Sequence, residues 1–253
     1  MANWVYRGLA GGVVTTRYPH QSKDIPGAWP GIPAAAGGEC PAGCRACLDA
    51  CPGGAVDFKE GTPLIAYRRC IFCRRCVDVC PAGILTWRDD FRTAVAPECE
   101  LPRRFSSRSV YIRHVDAGAC ECCLWEAGAV SHPFYDLNRL GFFFVTSPRH
   151  ADLLLVSGPV TVNMAGALEK AYQAMPKPKQ VVALGTCACG GAPAGVTYAT
   201  PLRLEEILPV DVFIPGCPPA PLSVMHGLLL AAGRDREGRS GAGQGKQLTA
   251  ARS

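Results

Sequence analysis

The sequence is short of several features, and each shortage narrows what the protein does. No apolar run approaches the roughly 18–20 residues that a membrane-spanning helix needs, so a soluble or peripheral chain is expected. Charged residues make up only 19% and the formal net charge is a modest +5. The five histidines are scattered and form no His-x-x-x-His pair; His114 and His150 stand beside expected strands, His132 precedes a proline, and all read as structural or interfacial. There is no Walker motif and no phosphate-binding GxGxxG, so nucleotide chemistry has no support. No secretory leader is recognisable ahead of the cysteines, so a disulfide framework is not expected and a reducing compartment is.

Cysteine, by contrast, is abundant, with 15 in 253 residues. Eight fall in two runs, ECPAGCRACLDACP and RRCIFCRRCVDVCP, each closed by Cys-Pro. Cys70, Cys73, Cys76 and Cys80 have the C-x2-C-x2-C-x3-C-P spacing of bacterial ferredoxins. Cys44, Cys47 and Cys51 repeat as Cys73, Cys76 and Cys80 at an offset of 29, and Cys40 precedes Cys70 by 30, so the repeat is internal with one inserted residue. Three closely spaced thiolates can wrap a corner of a cubane from one loop, and the cysteine before proline then serves the other cluster. The expected sets are Cys40, Cys44, Cys47 with Cys80, and Cys70, Cys73, Cys76 with Cys51. Zinc, which also takes paired C-x2-C, is the rival. Arginine pairs occur at Arg68/Arg69, Arg74/Arg75 and Arg103/Arg104. A nucleic-acid partner is one reading of them. The first two pairs flank cluster cysteines, however, and offsetting the charge of anionic clusters is the better one.

The chain divides by pattern. Residues 1–39 read as an N-terminal strap, in which residues 3–18 are either amphipathic, lying on a membrane or membrane subunit, or packed on their own domain; residues 19–39 read as irregular. Residues 40–86 read as a small α+β two-cluster ferredoxin domain with strands at 55–58 and 64–67. Residues 87–107 read as a linker containing a spare thiol, Cys99. From 108 to 235, apolar runs at 110–112, 142–145, 153–156, 181–184 and 210–214 alternate with helical stretches at 164–175 and 222–232. That alternation predicts a parallel sheet covered on both faces, a doubly wound, flavodoxin-like α/β domain. Residues 236–253 are small, polar and glycine-rich, and read as a disordered tail.

Six further cysteines follow expected strands: Cys120, Cys122 and Cys123 after the first, Cys187 and Cys189 after the fourth, Cys217 after the fifth. Ligands gather outside the carboxyl ends of strands in open α/β sheets, and helix N-termini after Cys123 and Cys217 would favour an anionic group. Buried structural thiols are the alternative. One would be unremarkable; six confined to three such loops point to a third site.

The stretches RSVYIRHVDAGACECCLWEAGAV, PRHADLLLVSGPVTVNM, VVALGTCACGG and VDVFIPGCPPAP resemble one family. It is the small, cluster-bearing subunit shared by membrane-associated [NiFe] hydrogenases of the formate-hydrogenlyase type and by the B subunit of NADH:quinone oxidoreductase. TTRYP ahead of two ferredoxin runs resembles the I-type ferredoxin subunit of the same complexes, so the chain looks like a fusion of the two. The resemblance implies a third [4Fe–4S] cluster held by two cysteines of the 120–123 loop, by Cys187 and by Cys217. The hydrogenase branch spaces the first pair C-x2-C, selecting Cys120 and Cys123; the quinone branch has them adjacent, selecting Cys122 and Cys123. The preceding Val-Asp-Ala-Gly resembles the hydrogenase branch, which makes Cys122 a bystander and Cys189 spare. Glu126 matches an acidic family residue that relays protons or packs at the subunit interface.

The expected function is electron transfer through three [4Fe–4S] clusters to or from a NiFe centre in a partner large subunit, with no catalytic residue in this chain beyond a proton-relay role for Glu126. The implied partners are that large subunit, membrane-embedded subunits and an electron-donor subunit (formate or CO dehydrogenase, or a ferredoxin), with no nucleic acid. The implied location is cytoplasmic, peripheral on the inner face of the membrane. Alternatives are a B-type subunit of a quinone-reducing complex lacking NiFe and a zinc-stabilised scaffold.

Overall fold

The computed structural model describes residues 3–12, 18, 31–38, 40–59, 61–96, 109–191, 193 and 195–234. The tail, Cys99, Arg103/Arg104 and most of TTRYP lie outside them. Among the described residues no helix is long and apolar enough to cross a membrane.

Helix α1, Asn3–Gly11, buries none of its residues and leaves Trp4, Tyr6 and Leu9 more than 70% exposed. The cysteine-rich part follows. Strand β1, Ile32–Ala35, leads into helix α2, Ala46–Asp49, then strands β2, Val56–Lys59, and β3, Thr62–Ile65, helix α3, Arg75–Asp78, and strand β4, Leu85–Arg88. β2 and β3 form an antiparallel hairpin, and β1 pairs antiparallel with β4. α2 and α3 recur at the 29-residue offset of the cysteine repeat. The hairpin lies within two residues of its expected place. The strand at 32–35 replaces the irregular chain expected there: Ile32 is buried against Leu85 and Val56, and that burial outweighs the Pro-Ala composition around it. Pro33 is tolerated because, among the described residues, this sheet is a pair of strands, both of them edges.

The second part carries strands β5, Val110–Asp116, β6, Phe142–Phe144, β7, Leu153–Ser157, β8, Gln180–Leu184, and β9, Val212–Ile214. All neighbouring pairs are parallel, in the order β6-β5-β7-β8-β9. Numbered along the chain this is 2-1-3-4-5, the flavodoxin-like doubly wound order. β7 and β8 are wholly buried because both faces are covered. One face packs under helices α4, Cys122–Ala129, and α8, Pro221–Ala231, through Val224, Leu228 and Ala127. The other packs under α5, Val162–Ala174, and α7, Leu204–Ile207, through Leu168 and Leu204. The short helix α6, Thr186–Gly190, leaves the end of β8. The stretch expected as a linker is partly structured: Val95 and Phe213 exchange two backbone hydrogen bonds of 2.8 Å, adding a bridge beside β9.

Candidate metal centres

The first set of thiols is assembled from both halves of the repeat. Cys47 and Cys40 are pushed up by burial, and both sense Cys44 and Cys80. Burial also opposes the Cys80 thiolate, but the backbone N–H groups of Leu85, Ile84, Ala82 and Gly83 outweigh it and lower that thiol below the ordinary value. The second set crosses over in the same way. Burial raises Cys70 to about 12, with Cys76, Cys51 and Cys73 as its charged neighbours, and Cys76 to about 11. The Ala55 N–H donates to Cys51 Sγ at 3.2 Å and the Phe72 N–H to Cys70 Sγ at 3.4 Å. Phe72 and Arg74, on either side of Cys73, hold left-handed backbone at φ of 53° and 68°. Such strain in non-glycine residues persists where the surroundings over-determine the loop.

The third set lies at the carboxyl ends of β5, β8 and β9. Asp116 Oδ1 accepts the N–H groups of Gly118 and Ala119 at 2.8 and 2.6 Å, an Asx turn that aims the chain toward Cys120. Cys123 is buried in the first turn of α4 and raised to about 12 by burial and then by Cys187, Cys120 and Cys217. Burial raises Cys187 to about 11, with Cys217 and Cys120 adding to it. Gly185, at φ 88°, leaves room for this gathering: a Cβ there would stand 2.5 Å from Cys123 Sγ.

Cys122 is exposed and hydrogen-bonds to Cys120. It shares that exposure with Cys120 and Cys217, and it neighbours Cys217 and Cys123; the difference lies at Cys187, which senses Cys120 and not Cys122. Cys189 is fully buried, its thiol pushed up by burial and directed at the Ala183 carbonyl at 3.5 Å. The helix start expected after Cys123 instead precedes it: Glu121 takes a left-handed conformation, φ 67°, and the helix begins at Cys122. After Cys217, the -Pro-Pro-Ala- segment delays α8 to Pro221.

These donors fit an iron–sulfur core. Thiols packed together out of water resist joint ionisation, and a cationic core is what makes thiolates of them. Backbone N–H groups aimed at sulfur are the usual means of tuning such a core. The thiols are drawn together as sets; among the described residues no three His, Cys, Asp or Glu side chains close on one point as a single ion would require.

Three of the described arginines make defined contacts. Arg69 pairs with Asp57 at 2.9 Å and Arg74 with Asp78 at 3.1 Å. Arg68 leaves its own region altogether. Its Nε and Nη2 donate to the Cys189 carbonyl at 3.2 and 3.0 Å, Nη2 meets Glu205 at 2.6 Å, and the guanidinium lies 3.7 Å above the centre of the Phe213 ring. Close by, Thr186 Oγ1 donates to the Cys70 carbonyl and accepts the Gly216 N–H, both at 2.9 Å. Gly190 permits the approach, since a Cβ there would lie 2.8 Å from the Arg68 carbonyl oxygen. Nothing in the sequence marked this seam: Arg68 stands out only as half of an arginine pair and Thr186 only as part of VVALGTCACGG, and no local signal joins them. Glu126, on α4, is half-buried and raised by burial, and its charge lifts Tyr135, which burial has already raised.

A family model described as "NADH ubiquinone oxidoreductase, 20 Kd subunit" matches residues 120–231, and one described as a 4Fe-4S dicluster domain matches residues 39–84. A probable membrane-bound hydrogenase subunit, mbhJ of Pyrococcus furiosus, is 45% identical over 131 residues, covering 51% of this chain and 77% of that protein. Among solved structures, a chain of the membrane-bound sulfane sulfur reductase, an archaeal respiratory membrane complex, is 29% identical with a TM-score of 0.44, over 56% of this chain and 85% of that one. A chain of the NAD+-reducing [NiFe]-hydrogenase is 20% identical with a TM-score of 0.39, over 50% and 93%.

Proposed function

Since the chain belongs to the family of the 20 kDa subunit of NADH ubiquinone oxidoreductase, we propose that it is an iron–sulfur electron-transfer subunit of a membrane-bound hydrogenase-type complex, with three [4Fe–4S] clusters. The observation that carries this reading is the gathering of cysteines distant in sequence into three sets, each bringing thiols from separate loops. Cys40, Cys44, Cys47 and Cys80 would hold one cluster, Cys70, Cys73, Cys76 and Cys51 the second, and Cys120, Cys123, Cys187 and Cys217 the third. When bound, such clusters accept and release single electrons without moving atoms far.

The protein's own work is to hold and to tune. The backbone N–H groups around Cys80, Cys51 and Cys70 favour the thiolate, and so favour extra negative charge on reduction. Burial of Cys70 and Cys123 excludes water from the sulfurs. Cys120 and Cys122 both lie within charge reach of Cys123 and Cys217, but Cys187 senses Cys120 alone of the two, which supports the C-x2-C pairing and with it the hydrogenase branch over the quinone branch. Glu126 sits within charge reach of Tyr135, and burial raises its carboxyl above the ordinary value, which supports the proton-relay role.

The partners on this reading are a large subunit carrying a NiFe centre, membrane-embedded subunits and an electron-donor subunit, in a formate-hydrogenlyase-like arrangement at the inner face of the membrane. The exposed α1, with Trp4, Tyr6 and Leu9, is consistent with a membrane-facing element. Purifying the protein with its bound partners under anaerobic conditions tests this. Nickel in a co-purified subunit, with methyl viologen reduction by hydrogen, is the expected result. A nickel-free complex that reduces a quinone analogue but does not react with hydrogen would assign the protein to the quinone branch instead.

A further inference from the structure

Two residues outside every metal set, Thr186 and Arg68, join the cysteine-rich part to the α/β part beside cysteines of two of the proposed sets. Thr186 is the residue before Cys187. Its hydroxyl donates to the carbonyl of Cys70 and accepts the N–H of Gly216, the residue before Cys217. One side chain therefore touches the backbone of a second-set cysteine and the loops of two third-set cysteines. From Cys70 to Cys187 the route is one hydrogen bond and otherwise covalent bonds. Arg68, two residues before Cys70, grips the other side of the seam through the Cys189 carbonyl, Glu205 and the Phe213 ring.

We propose that Thr186 is the positioning residue that couples the Cys70 set electronically to the Cys187 set, and that Arg68 is the clamp that fixes their separation. The inference rests on the reading above that both sets hold clusters. In the transfer itself one electron is lost on the Cys70 side and one gained on the Cys187 side. No bond forms or breaks, and the Thr186 hydroxyl keeps its proton. The two roles are separable by their chemistry. Valine matches threonine in shape but offers neither donor nor acceptor, so Thr186→Val removes the route while leaving the clamp. Arg68→Gln removes the clamp while leaving the route. Arg68→Lys keeps the charge but lacks the planar fork and ring stacking that the site uses.

The test uses the full-length, iron-loaded chain prepared without oxygen. Three quantities are read: the rate of electron transfer between the two sets after rapid partial reduction, the magnetic interaction between the sets in the fully reduced EPR spectrum, and hydrogen exchange at the Gly216 amide. Thr186→Val is expected to slow transfer several-fold with its iron content and magnetic interaction unchanged, and to speed Gly216 exchange; Thr186→Ser restores both. Arg68→Gln is expected to weaken or broaden the magnetic interaction, and Arg68→Lys not to restore it. If Thr186→Val fails to load with iron, Thr186→Ala, which adds no bulk, is read against the same expectations. Wild-type transfer in an iron-loaded Thr186→Val or Thr186→Ala chain overturns the coupling role, and an unaltered spectrum in Arg68→Gln overturns the clamp; neither outcome touches the cluster assignment. A wild-type chain without iron overturns the reading and the inference together.

Discussion

Thr186 and Cys70 stand 116 positions apart in the chain, yet the hydroxyl of one and the carbonyl of the other meet at 2.9 Å in a buried hydrogen bond. The same hydroxyl satisfies the Gly216 N–H. Substitution by valine strands both groups away from water. Leaving a buried polar group unpaired costs about 1–3 kcal/mol, so Thr186→Val should lower thermal stability measurably while Thr186→Ser stays near wild type. Differential scanning calorimetry of the two variants reads this directly.

Gly185 tests the third set from the backbone. Alanine there must adopt a positive φ and place its Cβ 2.5 Å from Cys123 Sγ. Gly185→Ala should therefore displace Cys123 and lose the third set's share, about four of about twelve irons. The ferredoxin-type EPR signals should remain. Iron analysis beside EPR checks both halves of the statement.

The loop cysteines give a second, sharper comparison. Cys122→Ser should retain full iron content, because Cys187 senses Cys120 rather than Cys122. Cys120→Ser should lose the third signal selectively, as should Cys217→Ser. Full loading of Cys120→Ser together with loss in Cys122→Ser would transfer the ligand role to the adjacent pair.

Much of this was legible in the sequence, for physical reasons. The ferredoxin spacing is a local code, since three thiols must reach one core from one loop, and the crossover of Cys51 and Cys80 follows from the same rule. The five strands were legible because a parallel sheet buried on both faces requires near-continuous apolar runs such as LLLV and VVAL. What was not legible depends on contacts across the chain. The strand Ile32–Ala35 exists because Leu85–Arg88 pairs with it, and no local signal marks that partner. Val95 falls in a stretch with the pattern of a linker and owes its bridge to Phe213. Arg68 reads as a charge beside a cluster, whereas the fold sends it to Glu205 and Phe213.

His114 makes stability depend on pH. Its ring is half-buried, bonds Ser157 Oγ through Nε2 at 2.9 Å, and is lowered below the ordinary histidine value by burial, with Arg113 adding to the effect and Asp116 opposing it. Between its folded value and the unfolded value near 6.5, the unfolded chain binds the extra proton. Stability therefore rises with pH across that window and levels off above it. His114→Gln should flatten the rise. Denaturation midpoints measured between about pH 5 and 8 in both proteins check the sign.

The small cysteine-rich part has a core made largely of its own ligand candidates: Cys47, Cys70 and Cys76 are buried among Ile32, Val56, Ile65 and Leu85. So small a core needs staples. Chelating the iron should open residues 40–88 to protease while the sheet from β5 to β9 stays protected, and mass spectrometry of the fragments would show it.

Metal and sulfide stoichiometry of the full-length chain, isolated without oxygen and measured with its reduced EPR spectrum, tests the central claim most directly. The account predicts about twelve iron and about twelve acid-labile sulfide per chain, with three distinguishable reduced signals. Two or three zinc ions per chain, no sulfide and an EPR-silent, colourless, folded protein would contradict it.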